Sequence, residues 1–116
     1  MSKKDFKNRA TRKRLSDDEL LDLVQRQTLK YFWDFGHPDC GMARERSNAD
    51  SADFPYDLDT VTTGGTGFGI MGMIAGAERG FLEKDEVRDR VRKITDFLEK
   101  SDKFHGVFPH FLDGKT

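Results

Sequence analysis

The sequence predicts an all-α fold of about three helices, followed by one short extended stretch. Apolar residues recur every three or four positions in three separate segments, which is the period of a helix with a buried face. Each segment also ends in a glycine or a small polar residue, as helices commonly do. At 116 residues, with 35% hydrophobic and 35% charged side chains, the chain suits one domain with a modest core.

The first helix is predicted to start at Ser16. Ser16 and Glu19 have the spacing of a capping box, in which each side chain binds the backbone amide of the other residue. Gly36 and Pro38 end the helix, because glycine adopts the left-handed cap conformation and proline cannot continue the hydrogen-bond ladder. The apolar positions of this helix are Leu20, Val24, Thr28, Tyr31 or Phe32, and Phe35.

The second helix is predicted from about Thr66 to Arg79, with Thr62 or Thr63 as its cap and Gly80 as its end. It is apolar almost all round, so it should be buried. Its glycines form one stripe: Gly65, Gly69, Gly72, Gly76 and Gly80. Each interior glycine costs about 1 kcal/mol relative to alanine. The stripe therefore predicts close approach by another part of the protein or by a ligand, with packing as the default.

The third helix is predicted from about Lys84 to Lys100. Its apolar residues form a single stripe and the rest are charged, so one side should face water. The stripe consists of Val87, Val91, Ile94 and Leu98. After this helix, residues 104–114 alternate aromatic and polar side chains. That pattern predicts a strand or hairpin arm, and we expect its partner to be missing from this chain.

A long loop is predicted between the first two helices, from Asp39 to Thr63. Loops longer than about 15 residues in compact domains are usually functional or disordered. This loop contains Arg44, Glu45 and Arg46, in which two guanidinium groups flank a carboxylate. The trio fits a surface ion-pair cluster and a ligand-facing group equally well.

The charge distribution predicts a basic, flexible arm over residues 1–15 ahead of a domain over residues 16–116. The first 14 residues hold seven Lys or Arg against Asp5 alone. No nucleic-acid reader module follows, so a solvated tail is the simplest interpretation and no nucleic-acid partner is expected. The longest apolar run, Gly67 to Ala77, is far below the roughly 20 residues of a membrane span. No signal peptide is recognisable, and localisation stays unknown.

Three motifs suggest cofactors and fail on context. Gly67–Gly72 matches the dinucleotide fingerprint, but no apolar strand precedes it and no βαβ pattern follows. Gly114-Lys115-Thr116 resembles the end of a P-loop without its first glycine or its helix. The possible metal ligands have no zinc-site spacing and more often make ordinary hydrogen bonds; they are His37, His105, His110 and Cys40. No cofactor or metal is expected, and the single cysteine indicates a structural or incidental residue.

Four ordered blocks resemble the start of the glucoamylase-like family of glycoside hydrolases, which includes bacterial endo-β-1,2-glucanases. The blocks are Leu20–Phe35, Gly41–Ser47, Val61–Met71 and Phe108–Gly114. The resemblance implies an (α/α)6 toroid, with residues 16–116 as its N-terminal part, about a quarter of the ring. The alternation of amphipathic, apolar and amphipathic helices agrees with an outer, inner, outer order.

The resemblance also implies hydrolysis of β-linked glucans, most simply β-1,2-glucan, by two carboxyl groups. In this family the acidic cluster follows the segment that corresponds to residues 108–116, and no residue here matches it. We therefore assign no catalytic residue and expect the chain alone to be inactive, with the rest of the toroid as its partner. Related enzymes are often exported to the periplasm. The alternative is a self-standing helical module that binds carbohydrate or protein.

The substrate-facing candidates lie at the rim of the cleft that the resemblance implies. A helix amino end offers free amides to oxygen-rich groups, Arg and Glu side chains bind hydroxyls, and aromatic rings stack on sugars. For the aromatic rings, core packing is the competing role. The candidates are Trp33, Arg44, Glu45, Arg46, Thr62, Thr63, Gly64, Gly65, Phe108 (with Phe111 as a second stacking ring) and His110.

Overall fold

The computed structural model describes residues 14–46 and 58–115, and in those ranges it contains three helices and a two-stranded antiparallel sheet. The elements in chain order are α1 (Asp17–Trp33), β1 (Thr60–Thr62), α2 (Thr63–Glu78), α3 (Lys84–Lys100) and β2 (Phe111–Asp113). The prediction of a mostly helical fold with three helices is confirmed. Most of the basic arm and residues 47–57 of the long loop lie outside the described residues.

Helix α1 begins at the predicted capping box. The Glu19 amide donates to Ser16 Oγ at 3.2 Å, and the Ser16 amide donates to Glu19 Oε2 at 2.9 Å. Leu29 is the buried residue of this helix, whereas Leu20 and Val24 are 49% and 52% exposed. The predicted apolar stripe is therefore wrong over its first turns, because α1 packs on α2 mainly through its carboxyl-terminal half.

Helix α2 begins at Thr63, three residues earlier than predicted, because Thr62 caps it by accepting from the Gly65 amide at 3.2 Å. Part of the glycine stripe packs against α1. A Cβ at Gly69 would lie 2.7 Å from Cδ1 of Phe32, and one at Gly76 would lie 2.6 Å from a methyl carbon of Leu29. Close approach by side chains of α1 thus explains Gly69 and Gly76, whereas Gly80 ends the helix with a positive φ of 78°.

The opposite side of α2 is uncovered. Phe68, Met71 and Ile74 are 69%, 60% and 58% exposed, although their helix is strongly apolar. The expectation that α2 is buried is wrong for this face of the helix. Over the described ranges, no helix combines the length and hydropathy of a membrane span.

Helix α3 joins two small cores through the stripe predicted for it. Ile94 packs with Cys40, Met42 and Val61, while Val87 packs with Leu29 and Met73. Between the two cores, Arg90 donates to the carbonyl of Trp33 at 3.1 Å and stacks on its ring at 4.4 Å. Burial raises the pKa of the Cys40 thiol, which suits an unreactive core residue.

The sheet corrects the prediction that the last extended segment lacks a partner. Strand β2 pairs with β1 in antiparallel register, with Val61 opposite Leu112 and Thr62 opposite Phe111. The two strands are about 50 residues apart in the chain. A pairing over that distance leaves no local sequence signal, so β2 looked unpartnered.

His37, in the loop after α1, contacts a residue next to each strand: Asp59 before β1 and Gly114 after β2. Its ring is buried; Nδ1 accepts from the Asp39 amide at 3.1 Å, so Nε2 carries the proton that is donated to Asp59 Oδ1 at 2.9 Å. Gly114 lies flat against this ring, where a Cβ would be 2.7 Å from Cδ2. His37 therefore makes ordinary structural hydrogen bonds. The described residues contain no group of three side chains that could hold a metal ion.

Candidate functional site

The candidate site is the amino end of α2, where β1 runs directly into the helix. The Thr63 amide donates to the carbonyl of His110 at 3.1 Å, and the Thr63 hydroxyl donates to the carbonyl of Pro109 at 3.1 Å. The Gly65 amide donates to the hydroxyl of Thr62, the capping residue. Gly64 lies between them, exposed, with open space around it among the described residues. The first turn of α2 is therefore exposed at Gly64.

Residues 43–45 form a third extended segment beside this helix end. The Thr62 amide donates to the Ala43 carbonyl at 3.0 Å, and the Glu45 amide donates to the Thr60 carbonyl at 3.0 Å. Arg44 is bridged to Val61 between these two bonds. Hence β1 lies between this segment and β2, and all three extended pieces meet at the start of α2.

Arg44 and Glu45 point to opposite sides of their segment, because side chains alternate along an extended chain. The Arg44 guanidinium lies over the ring of Phe35 at 4.6 Å. Its Nε is buried and has no hydrogen-bond partner among the described residues. Ala43, on the same face as Glu45, lies close to Gly65. The structure therefore divides the predicted trio: Arg44 stacks on Phe35, and Glu45 lies on the other face of the segment, opposite Thr60.

Glu45 and Arg46 form a bidentate ion pair, with Arg46 Nη2 2.7 Å from Glu45 Oε1. The hydrogen bond from Arg46 lowers the pKa of Glu45 below its ordinary value of 4.5, and the electrostatic influence of Arg46 and His110 lowers it further. Glu45 is therefore ionised at neutral pH and acts as a hydrogen-bond acceptor. It is unsuited to donate a proton as a general acid.

The aromatic candidates lie in three places. His110 and Phe111 are exposed beside the amino end of α2, with ring centres 4.3 Å apart. Phe108 is 37% exposed, and its ring lies 5.1 Å from Nζ of Lys103. Trp33, in contrast, packs under Arg90 and against the core of Leu29, Met73 and Val87. The structure does not bring Trp33 to the candidate site.

Comparisons with known proteins show which proteins this chain resembles in sequence and structure. No family model matches the chain. It is 46% identical over 107 residues to an exo β-1,2-glucooligosaccharide sophorohydrolase (non-reducing end) of Parabacteroides distasonis. It superposes with a TM-score of 0.83, at 46% identity, on an endo-β-1,2-glucanase of Chitinophaga pinensis in complex with sophorotriose and glucose. A candidate glucoamylase of Bacteroides fragilis superposes at 0.85 with 45% identity.

These matches cover most of this chain and a minor part of each relative. They extend over 92% of the chain and 14% of the sophorohydrolase, and over 89% and 91% of the chain and 25% of each of the two solved structures. The chain corresponds to one part of the glucoamylase-like, β-1,2-glucanase family of glycoside hydrolases. The three helices and the small sheet match part of the toroid of these enzymes, which confirms the expected fold.

Two residues that shape this candidate site carry no sequence signal. The Tyr31 hydroxyl donates to the Arg44 carbonyl at 2.7 Å. The Thr66 hydroxyl accepts from the Ala43 amide at 2.9 Å and donates to the Thr62 carbonyl at 2.6 Å. The bonds from Tyr31 to Arg44 and from Ala43 to Thr66 join elements that are distant in sequence, whereas the bond from Thr66 to Thr62 is local. Tyr31 was expected only as an apolar position of α1, and Thr66 only as the start of α2.

Proposed function

We propose that this chain is part of an enzyme that hydrolyses β-1,2-linked glucans, and that it supplies substrate-facing surface. Its similarity to a sophorohydrolase and to an endo-β-1,2-glucanase supports the substrate class. The chain spans 14% of the sophorohydrolase and a quarter of the glucanase, so activity belongs to the larger protein in this proposal.

One observation carries the assignment of the surface. The first turn of α2 is exposed at Gly64, and His110 lies beside it, where its carbonyl accepts from the Thr63 amide. The ionised Glu45 and its partner Arg46 follow along the neighbouring segment beside Thr60, within electrostatic range of His110. Helix amides and guanidinium groups donate hydrogen bonds, and a carboxylate accepts them. A sugar offers hydroxyl groups that do both. The site therefore suits neighbouring hydroxyls of a glucosyl unit.

The pKa values of two described carboxyl groups agree with the proposal that activity belongs to the larger protein. A glycosidase needs a carboxylic acid with a raised pKa to protonate the leaving oxygen. The pKa values of Glu45 and Asp59 are both lowered, by Arg46 and by His37 respectively. Neither carboxyl group holds a proton at neutral pH.

Titration of the isotopically labelled chain with sophorotriose tests the site. We expect the backbone NMR signals of Glu45, Gly64 and Gly65 to shift, and those of Trp33 to stay. Maltotriose, a trisaccharide with a different linkage, is the matched ligand control. Binding centred on Trp33, or equal binding of both sugars, would contradict the proposed surface and linkage. Release of sugars from β-1,2-glucan by this chain alone would contradict its lack of hydrolytic activity.

The uncovered face of α2 supports the proposed partner. Phe68, Met71 and Ile74 present a continuous apolar strip on a helix that matches part of a toroid. We propose that the remaining helices of the ring cover this strip in the larger enzyme. Gel filtration of the chain with a separately produced remainder of the enzyme tests this, and failure to co-elute would count against it.

A further inference from the structure

The backbone of residues 43–45 is held by hydroxyl groups of two helices. On one side, Tyr31 of α1 donates to the Arg44 carbonyl at 2.7 Å. On the other, Thr66 of α2 accepts from the Ala43 amide at 2.9 Å. These two bonds fasten consecutive residues to two different helices.

The geometry of the extended segment explains why Tyr31 matters for Glu45. The Glu45 amide bonds to β1 through the Thr60 carbonyl, and in an extended chain the preceding carbonyl, that of Arg44, points the other way. This outward carbonyl is the group that Tyr31 satisfies. A buried carbonyl without a partner would favour rotation of the peptide toward water, and that rotation would carry Glu45 with it.

We propose that Tyr31 is a positioning residue, whose hydroxyl fixes the direction in which Glu45 is presented beside β1. Thr66 is the second anchor, since its hydroxyl links the same segment to the first turn of the helix. This proposal adds a positioning residue to the proposed sugar-binding site. It depends on that proposed function only for the identity of the ligand. The orientation of Glu45 is a property of the free protein.

Phe35 and Arg44 support the same interpretation. The Tyr31 ring packs against Phe35 with centres 5.6 Å apart, and the Arg44 guanidinium covers the other part of that ring at 4.6 Å. Tyr31 therefore holds both the carbonyl and, through Phe35, the side chain of Arg44. Its orientation is fixed by packing, so removal of the hydroxyl alone leaves the ring in place.

The experiment uses the full 116-residue chain with the variants Tyr31→Phe and Thr66→Val. Each deletes one hydroxyl and keeps the shape of the side chain. Thr95→Val is the matched control, because among the described residues the Thr95 hydroxyl bonds to the carbonyl of Arg92, on the exposed side of α3. Val87→Ala lowers stability in the other core and controls for general loosening.

Three quantities are measured: the hydrogen-exchange rate of the Glu45 amide, the pKa of its carboxyl group by carbon NMR, and the affinity for sophorotriose. For Tyr31→Phe and Thr66→Val we expect exchange at Glu45 to rise about tenfold, and its lowered pKa to move toward 4.5. Sophorotriose affinity should fall about fivefold, and the two control variants should leave all three quantities unchanged.

The possible results separate the two proposals. If exchange and pKa change as expected while the wild-type chain binds no sophorotriose, the positioning role stands and the proposed sugar site fails. If wild type binds sophorotriose and Tyr31→Phe changes neither exchange, pKa nor affinity, the positioning role is overturned and the sugar site stands. Changes of the same size in Val87→Ala would also overturn it, since they would reflect stability alone.

Discussion

His37 donates from Nε2 to Oδ1 of Asp59 at 2.9 Å, and the backbone amide of Asp39 holds the other ring nitrogen as an acceptor. The buried ring can therefore present only its Nε2 proton to the carboxylate. Asp59 also pairs with Lys115 through Oδ2 at 3.2 Å. The start of β1, the end of β2 and the loop after α1 thus meet at one carboxylate.

This arrangement predicts acid sensitivity. The His37 hydrogen bond, followed by Lys115, lowers the pKa of Asp59 below its ordinary value of 3.8, so folding favours the ionised form. The stabilisation is fully present above pH 3.8 and is lost as the pH falls through the lowered pKa. In urea unfolding, Asp59→Asn should be less stable than wild type at neutral pH, with the difference shrinking as the pH falls below this range. Asp96→Asn on exposed α3 is the control, and an equal difference at every pH would refute the prediction.

Arg90 should be a principal support of the contact between α1 and α3. Its guanidinium donates to the Phe32 and Trp33 carbonyls at 3.4 and 3.1 Å and stacks on the Trp33 ring. Arg90→Met should lower the free energy of unfolding by about 1 to 3 kcal/mol, because buried carbonyls lose a charged donor. Arg92→Met on the exposed side of the same helix should change it by less than about 0.5 kcal/mol. Denaturant melts that show equal losses would contradict this role.

Two glycines of α2 should respond to alanine in opposite directions. A Cβ at Gly69 would meet the rigid ring of Phe32 at 2.7 Å, whereas one at Gly67 meets nothing within 4 Å among the described residues. Gly67→Ala should stabilise the chain by up to about 1 kcal/mol through helix propensity. Gly69→Ala should destabilise it by about 1 to 3 kcal/mol through overpacking. Thermal unfolding of the pair checks this, and stabilisation by both would show that α1 can move away.

The uncovered strip of α2 should make the isolated chain bind apolar dyes and self-associate. Large exposed apolar patches are uncommon on monomeric proteins. Phe68→Gln together with Met71→Gln should reduce dye fluorescence and light scattering, since these residues are 69% and 60% exposed. Glu86→Gln on α3 is the polar control. A wild-type chain that is monomeric and binds no dye would disprove this expectation.

Local chemistry predicted the helices well. The Ser16 capping box and the residues around Gly80 fixed element ends because capping is a short-range interaction. The predicted start of α2 was three residues too late. The choice between Thr62 and a later cap depends on β1, which runs straight into the helix. Leu20 and Val24 were expected in a core because their spacing is helical, but spacing does not show whether anything packs there.

The candidate site was less predictable from sequence. The resemblance implied that Thr63, Gly64 and Gly65 lie at a helix start, and the structure places them in the first turn of α2. The opposite orientations of Arg44 and Glu45 depend on the bridge between Arg44 and Val61. The packing of Trp33 depends on Arg90, which belongs to another helix. Tyr31 acts on a carbonyl 13 residues away. Contacts of this kind appear only when the elements are assembled.

The pairing of β1 with β2 also has a kinetic consequence. It closes a loop of about 50 residues that contains α2 and α3, and closing long loops costs chain entropy before the contacts form. The helical hairpin should therefore form early in folding and the sheet late. Because the Thr63 amide is satisfied by the His110 carbonyl only after the strands meet, we expect the amino end of α2 to be the last region to gain its native protection during refolding.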